Sequence, residues 1–453
     1  MSLHALSPLD GRYEKETSPL RDFFSEFAYL RTRARLELDF LAALSKTGII
    51  STGSLSGYKP DPQNFTDEDA LKIQEYEKTT RHDVKAIEYF LREKIPAKLH
   101  QWIHFGLTSE DVNNIAQALA LRDSRDKVLL PALDNLFASL RDFAKKHRAT
   151  PMLARTHGQP AVPTTLGKEI AVYLARLQKC RVEIALHKFE GKLTGAVGNF
   201  NAMQAAFPDI DWLSFSKEFV EGLGLEANLV TNQIIPYDNW NRYFQSLQLT
   251  NAILIDFAQD MWRYISDGIL KQKVVAGEVG SSTMPQKVNP IDFENAEGNL
   301  GVANAMLGHY VQKLSVSRLQ RDLSDSTVRR TFGTALGHTL LAWKNAAKGM
   351  SRVDADEEKL HEELNTHWEV VSEGAQTILR AAGRSDAYET LKSQTRGGQM
   401  DSISYKSWVE ALQVDEETRR KLASLSPESY IGLAIKIVDE VLRYSIVENR
   451  SVE

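Results

Sequence analysis

From Tyr237 to Lys271 the chain runs without a proline, and apolar residues recur through this stretch at helical spacing. A helix of about 35 residues is roughly 50 Å long at 1.5 Å per residue. Such a helix cannot bury its apolar side alone, so the spacing predicts partners of comparable length and a long bundle rather than a compact globule. The partners are legible. Phe23, Phe27, Leu30, Ala34, Leu38 and Leu41 fall on one face of a helix that ends near Gly48. Thr66, followed by Asp67, Glu68 and Asp69, predicts a capped helix start, with helical text to Glu93, a break near Thr80 and a stop at Pro96. Residues 110–146 read as helix with a kink at Pro131, and Leu129, Leu133, Leu136, Leu140 and Phe143 form its later stripe. Leu166 to Phe189 carries Ile170, Tyr173, Leu174 and Leu177 on one face, and further helices are predicted at 293–314, 326–350 and 355–381.

Strand signals are few, and the best, KLTGAVGNFN at 192–201, predicts a small hairpin. Beyond Ala382 turn residues multiply (Gly383, Gly397, Gly398, Pro427), which predicts a small C-terminal domain. The expected class is all-α with three helical domains, 1–109, 110–365 and 366–453, the central one being the long bundle. Helices 110–146 and 237–271 carry polar residues all round, which predicts that they self-associate to cover their apolar surface.

Several function classes find no support. The net charge of −5 and the lack of a long basic run argue against nucleic acid. No apolar run approaches ~18 residues, so no membrane span is expected, and the single cysteine, Cys180, suits a reducing cytoplasm. HEELNTH at 361–367 spaces its histidines six apart, whereas a zinc-binding pair needs four. Gly195 and Gly198 lack dinucleotide spacing, and no phosphate loop, GxSxG elbow or Cys/His cluster occurs.

One segment is dense with chemistry. Residues 277–295, GEVGSSTMPQKVNPIDFEN, place Ser281, Ser282, Lys287, Asn289 and Glu294 in a stretch flanked by glycines and interrupted by Pro285 and Pro290. Glycine frees the backbone and proline stops helix, so a functional loop between helices is predicted. Three other segments join it. RTHGQP at 155–160 puts His157 in a turn. KTTRHDVKAIEYFL at 78–91 puts Arg81, His82 and Asp83 at a helix start. HFGLTSEDVNN at 104–114 puts Thr108 and Ser109 at another, where simple capping is the competing reading.

The loop GSSTMPQKVNP, with RTHGQP and the TSED helix start, closely resembles the pattern of the fumarase/aspartase superfamily along nearly the whole chain. LDGRY (9–13), KTTRHDVKAIEYF (78–90) and SRLQRDLSDSTVRR (317–330) are similar to its bacterial adenylosuccinate lyase branch. The resemblance implies a β-elimination that breaks a C–N bond, cleaving adenylosuccinate to AMP and fumarate and SAICAR to AICAR and fumarate. It implies Ser281 as general base, His157 as general acid, Glu294 as the carboxylate that orients His157, and Lys287 near the serine. Thr108, Ser109, Gln233, Lys287 and Asn289 would meet the succinyl carboxylates, and Ser282 would also bind substrate. Arg12, Tyr13, Arg321, Ser326 and Arg330 would meet phosphate and ribose, His82 and Asp83 the phosphate or base, and Arg81 would bind substrate beside them. No cofactor and no metal are implied. The partners implied are small-molecule substrates and three further copies of the chain, in a tetramer whose sites each draw on several subunits. Gln286 departs from the branch, since MPQK is closer to argininosuccinate lyase. That activity stays open, as does a non-catalytic, crystallin-like role.

Overall fold

The computed structural model of the protein describes residues 3–50, 64–273, 283–284, 287–387, 389 and 400–447. It is helical, with three two-stranded sheets among the described residues. Contacts divide it into two compact units: residues 1–133, 180–252 and 299–342, and residues 134–179, 253–298 and 343–453. Each boundary falls inside a long helix.

In the first unit the helix Glu26–Lys46 is capped by Ser25, whose hydroxyl accepts from the Ala28 amide at 3.1 Å. The expected stripe is corrected in two ways. Ser25 is extended, so Phe23 belongs to the separate turn Arg21–Phe24. Leu38 is only half-buried, while Leu36, Phe40 and Leu44 are buried together with two charges, Arg33 and Glu37. The break near Thr80 is real. Helix Asp67–Thr80 opens on a Thr66/Asp69 capping box and closes at Arg81, whose left-handed φ of 52° turns the chain into helix Asp83–Lys94. Around Trp240, the rings of Phe244, Tyr310 and Phe332 pack with centroids 5.0 to 5.4 Å apart.

Pro131 acts on the turn before it. Its ring presses on the carbonyl four residues back and it has no amide to donate. Arg125–Leu129 accordingly opens into a π turn between helices Ser109–Ser124 and Leu130–Lys146. The predicted stripe from Leu129 to Phe143 is buried, as is that of Ile170, Tyr173, Leu174 and Leu177 on helix Leu166–Leu186. The longest helix is Asp238–Ser266, and Gly268, at φ 75°, turns the chain into a strand, Leu270–Gln272, that pairs with Val353–Ala355. Residues 326–350 divide into Ser324–Arg329 and Phe332–Ser351, and 355–381 into Glu357–Asn365, a tighter turn at Trp368–Val371 and Ser372–Ala381.

The expected hairpin at 192–201 is not formed. Glu190–Gly191 pairs in parallel with Glu226–Ala227, and the residues after Gly191 form a loop. Gly198 sits there at φ 85°, where a Cβ would lie 1.9 Å from the Thr231 carbonyl oxygen, so this glycine serves a close backbone approach. The hairpin lies elsewhere, at Pro151–Thr156 and Gln159–Thr165. Pro151, Pro160 and Pro163 disguise it, because proline argues against a strand. This hairpin belongs to the second unit. There Leu153 joins a C-terminal core of Leu364, Trp368, Val371, Leu379, Tyr405 and Leu422.

Candidate active site

Helix Ser109–Ser124 organises the first unit. Thr108 is its N-cap, and its amide donates to Asp111 Oδ2 at 2.8 Å. Glu110 and Asp111 do more than favour the helix dipole, because both are fully buried. Asp111 pairs with the equally buried Lys192 at 2.9 Å and accepts from the Thr194 amide at 2.9 Å. Lys192 Nζ donates onward to the carbonyls of Gly195 at 3.1 Å and Gln233 at 2.8 Å. This buried pair therefore fixes Gln233 relative to Thr108. Buried ions survive only when every partner is supplied, and the loop carbonyls and amides supply them here.

Glu110 is a second hub. Its Oε1 accepts from Arg329 at 2.9 Å, Arg321 at 3.1 Å and Asn113 at 3.2 Å. Burial opposes its charge, but Arg329 and Arg321 outweigh that and hold the carboxyl below the usual range. Arg329 also donates to Gln117 at 2.6 Å and pairs with Asp325 at 3.0 Å, and the Tyr237 hydroxyl donates to Asp325 at 2.9 Å. Arg321 reaches Gln233 Oε1 at 3.2 Å. Ser326 is half-buried on helix Ser324–Arg329, and Arg330, 53% exposed, lies 3.8 Å from Asp83 and 3.9 Å from Glu26.

His82 caps helix Asp83–Lys94 through its ring. Nδ1 accepts from the Lys85 amide at 3.2 Å, which assigns the ring proton to Nε2, and Nε2 faces Ser109 Oγ at 3.5 Å. Asp83 accepts from Arg33 at 2.6 Å. Burial works against its charge, yet Arg33 leaves the carboxyl below its ordinary value. The unit thus gathers His82, Asp83, Ser109, Gln233, Arg321 and Arg330 around one helix start. The hydroxyls and guanidinium groups there, at a helix N-terminus, suit an anion. Arg12 is exposed, 5.9 Å from the Tyr13 ring.

Lys192, Arg329, Glu37 and His104 are among the residues of this framework that escaped sequence reading. Lys192 and Arg329 look like surface charges in isolation. The other two, Glu37 and His104, meet at 2.6 Å between Oε1 and Nδ1, and Glu37 Oε2 accepts the His104 amide at 3.0 Å. Burial lowers the His104 pKa, but Glu37, then Glu88 and Asp111, carry it above the usual histidine value. At φ 56°, His104 bends the chain just ahead of Thr108.

The second unit holds the other candidates. His157 and Gly158, at φ 54° and 73°, form the two-residue turn of the 151–165 hairpin, and both are exposed. Two left-handed residues make the turn that matches strand twist. Lys287 is exposed and Asn289 half-buried, in the irregular segment before helix Ile291–Leu314. Gln272 holds that segment through the Val288 carbonyl at 2.8 Å. Glu294 lies in the first turn of this helix, predicted from residue 293, and its Oε1 accepts from Trp262 Nε1 at 3.1 Å. Ser281, Ser282 and Gln286 lie outside the described residues. Among the described residues no His, Cys, Asp and Glu side chains gather as a metal ion would need.

Comparison with known proteins agrees along the chain. Residues 11–306 match the Lyase family, and residues 317–431 match the family described as adenylosuccinate lyase C-terminal. The adenylosuccinate lyases of Haemophilus influenzae and Escherichia coli are each 45% identical over 97% of this chain and 99% of their own. That of Vibrio cholerae is 44% identical over the same shares. Two solved structures share the fold at a TM-score of 0.76: a fumarate lyase from Mesorhizobium, 18% identical over 94% of this chain and 97% of that one, and a 3-carboxy-cis,cis-muconate lactonizing enzyme from Pseudomonas putida, 20% identical over 94% and 96%. The chain belongs to the adenylosuccinate lyase family of the fumarase/aspartase superfamily.

Proposed function

We propose that this carbon–nitrogen lyase releases fumarate from adenylosuccinate, leaving AMP, and from SAICAR, leaving AICAR. The observation that carries this reading is the gathering of His82, Ser109, Gln233 and Arg321 around one helix start by the buried charges of Glu110 and Asp111. A substrate with carboxylates and a phosphate needs such a cluster of amides, hydroxyls and guanidinium groups. The relatives named adenylosuccinate lyase align over almost the whole chain, which supports the same substrate.

In the proposed mechanism Ser281 removes the proton from the carbon beside a succinyl carboxylate. His157 protonates the departing nitrogen, and the C–N electron pair leaves with it. Lys287 and Asn289 hold the charge that gathers on the carboxylate, where donors fixed in advance count most. Thr108, Ser109, Gln233 and Ser282 bind the succinyl group. Arg12, Tyr13, Arg321, Ser326 and Arg330 bind phosphate and ribose, with Arg81, His82 and Asp83 beside them. We assign the active form to a cytoplasmic homotetramer with sites shared between chains. Exposed apolar residues on helix Asp238–Ser266, Leu249 at 51% and Trp262 at 43%, support such an assembly. Glu294, which accepts from Trp262 Nε1 at 3.1 Å, orients His157 in this mechanism.

The substrate is tested by offering adenylosuccinate, SAICAR and argininosuccinate separately and following fumarate absorbance. Turnover of both purine substrates is expected. Turnover of argininosuccinate alone would overturn the assignment, and inactivity on all three would favour a structural role.

A further inference from the structure

We infer that Arg155 and Glu363 form a clamp that holds the His157 turn in its working position, which makes both of them positioning residues. The inference rests on the assignment of His157 as the general acid. The base of the hairpin is firmly seated, because Met152 and Leu153 are buried and Leu153 shares its core with Leu364, Trp368 and Val371. Beyond Leu153 the strand register shifts, with Arg155 opposite Pro160 and Thr156 opposite Gln159. Such a bulge re-aims the residues beyond it. Every residue from Arg155 to Pro160 is exposed, so core packing does not fix the tip.

One tether does. Arg155 NH2 donates to Glu363 Oε1, and among the described residues this is the side-chain bond that anchors the tip. Glu363 lies on helix Glu357–Asn365, which is itself fixed by buried Leu360 and Leu364. Its side chain is only 16% exposed, and its second oxygen is buried. A carboxylate so placed loses much of its solvent screening and holds a guanidinium firmly. The C-terminal helices thereby reach a position two residues from His157.

The test uses the full-length assembled protein in four forms: Arg155→Gln, Glu363→Gln, the charge swap Arg155→Glu with Glu363→Arg, and His157→Ala. A small misplacement of a reacting group lowers turnover steeply. Each single Gln variant should therefore lose about 10- to 100-fold in kcat, with KM within about twofold of wild type. The swap should recover most of that loss. Glu363→Gln keeps the side-chain shape and serves if Arg155→Gln fails to fold. Wild-type kcat in both single variants, beside an inactive His157→Ala, would overturn the clamp and leave the acid assignment standing. A parallel loss in kcat and KM that the swap does not repair would also overturn it. Wild-type turnover in His157→Ala would remove the acid assignment, and the clamp's purpose with it.

Discussion

Arg329 donates to Glu110 at 2.9 Å across 219 positions of sequence, and both side chains are buried. Each stands beside a residue proposed to touch substrate: Ser109 precedes Glu110 and Arg330 follows Arg329. A single internal ion pair thus sets two distant segments side by side. The same carboxylate draws in Arg321, and through it Gln233. The binding groups are placed by charges that never meet solvent.

Removing one partner of a buried pair leaves the other charge uncompensated, at about 3–5 kcal/mol. Glu110→Gln and Arg329→Met should therefore each lower the melting temperature markedly. For Glu110 the loss depends on pH. Its folded pKa is depressed, so its contribution is full above the unfolded value of about 4.3 and is lost as pH falls through the folded value. The gap in stability between wild type and Glu110→Gln should be widest near neutrality and close in acid. A gap independent of pH would contradict this account of the pair.

His104 behaves in the opposite sense. Its folded pKa lies above the ordinary value of about 6.5, so the pair with Glu37 stabilises fully below that pH and fades as pH rises through the folded value. In Glu37→Gln the largest raising contribution is gone, and the imidazole should titrate lower than in the wild type. NMR titration of the ring in both proteins measures this directly, and an unchanged midpoint would show that Glu37 does not set the charge.

Ser281→Ala and His157→Ala should each lose at least about 10²-fold in kcat, the usual scale for removing an acid or base. Steady-state fumarate release decides the matter. Near wild-type turnover in either variant would strip that residue of its role.

Gly198→Ala should destabilise the protein by more than the ~1–2 kcal/mol of a left-handed alanine, because the added Cβ also meets the Thr231 carbonyl at 1.9 Å. Alanine at Gly158, which has a similar φ but open space around it, should cost only the backbone term. Equal melting temperatures for the two variants would mean that the loop yields.

Periodicity and punctuation carried most of the helices. Thr66 and the break at Thr80 follow from caps, and the leucine stripe before Phe143 follows from spacing. Patterns failed where tertiary pairing overrides local chemistry. Arg33 and Glu37 interrupt an apolar face yet are buried, because Asp83 and His104 answer them from distant segments. Glu110 and Asp111 read as first-turn acids, and nothing local marks them as hubs for arginines two hundred residues away or for Lys192. The 151–165 hairpin hid behind three prolines, although its tip was recognisable as a turn from His157-Gly158. The chemistry assigned to the 277–295 loop rests on residue types and on the resemblance, since Ser281, Ser282 and Gln286 lie outside the described residues.

In the proposed mechanism one site performs acid–base elimination with groups from more than one chain. The most direct measurement mixes the purified inactive variants Ser281→Ala and His157→Ala, lets subunits exchange, and follows fumarate release from adenylosuccinate. Shared sites predict that activity returns, because some mixed sites hold both native residues. Mixtures as inactive as the parents, with exchange verified by mass labelling, would contradict it.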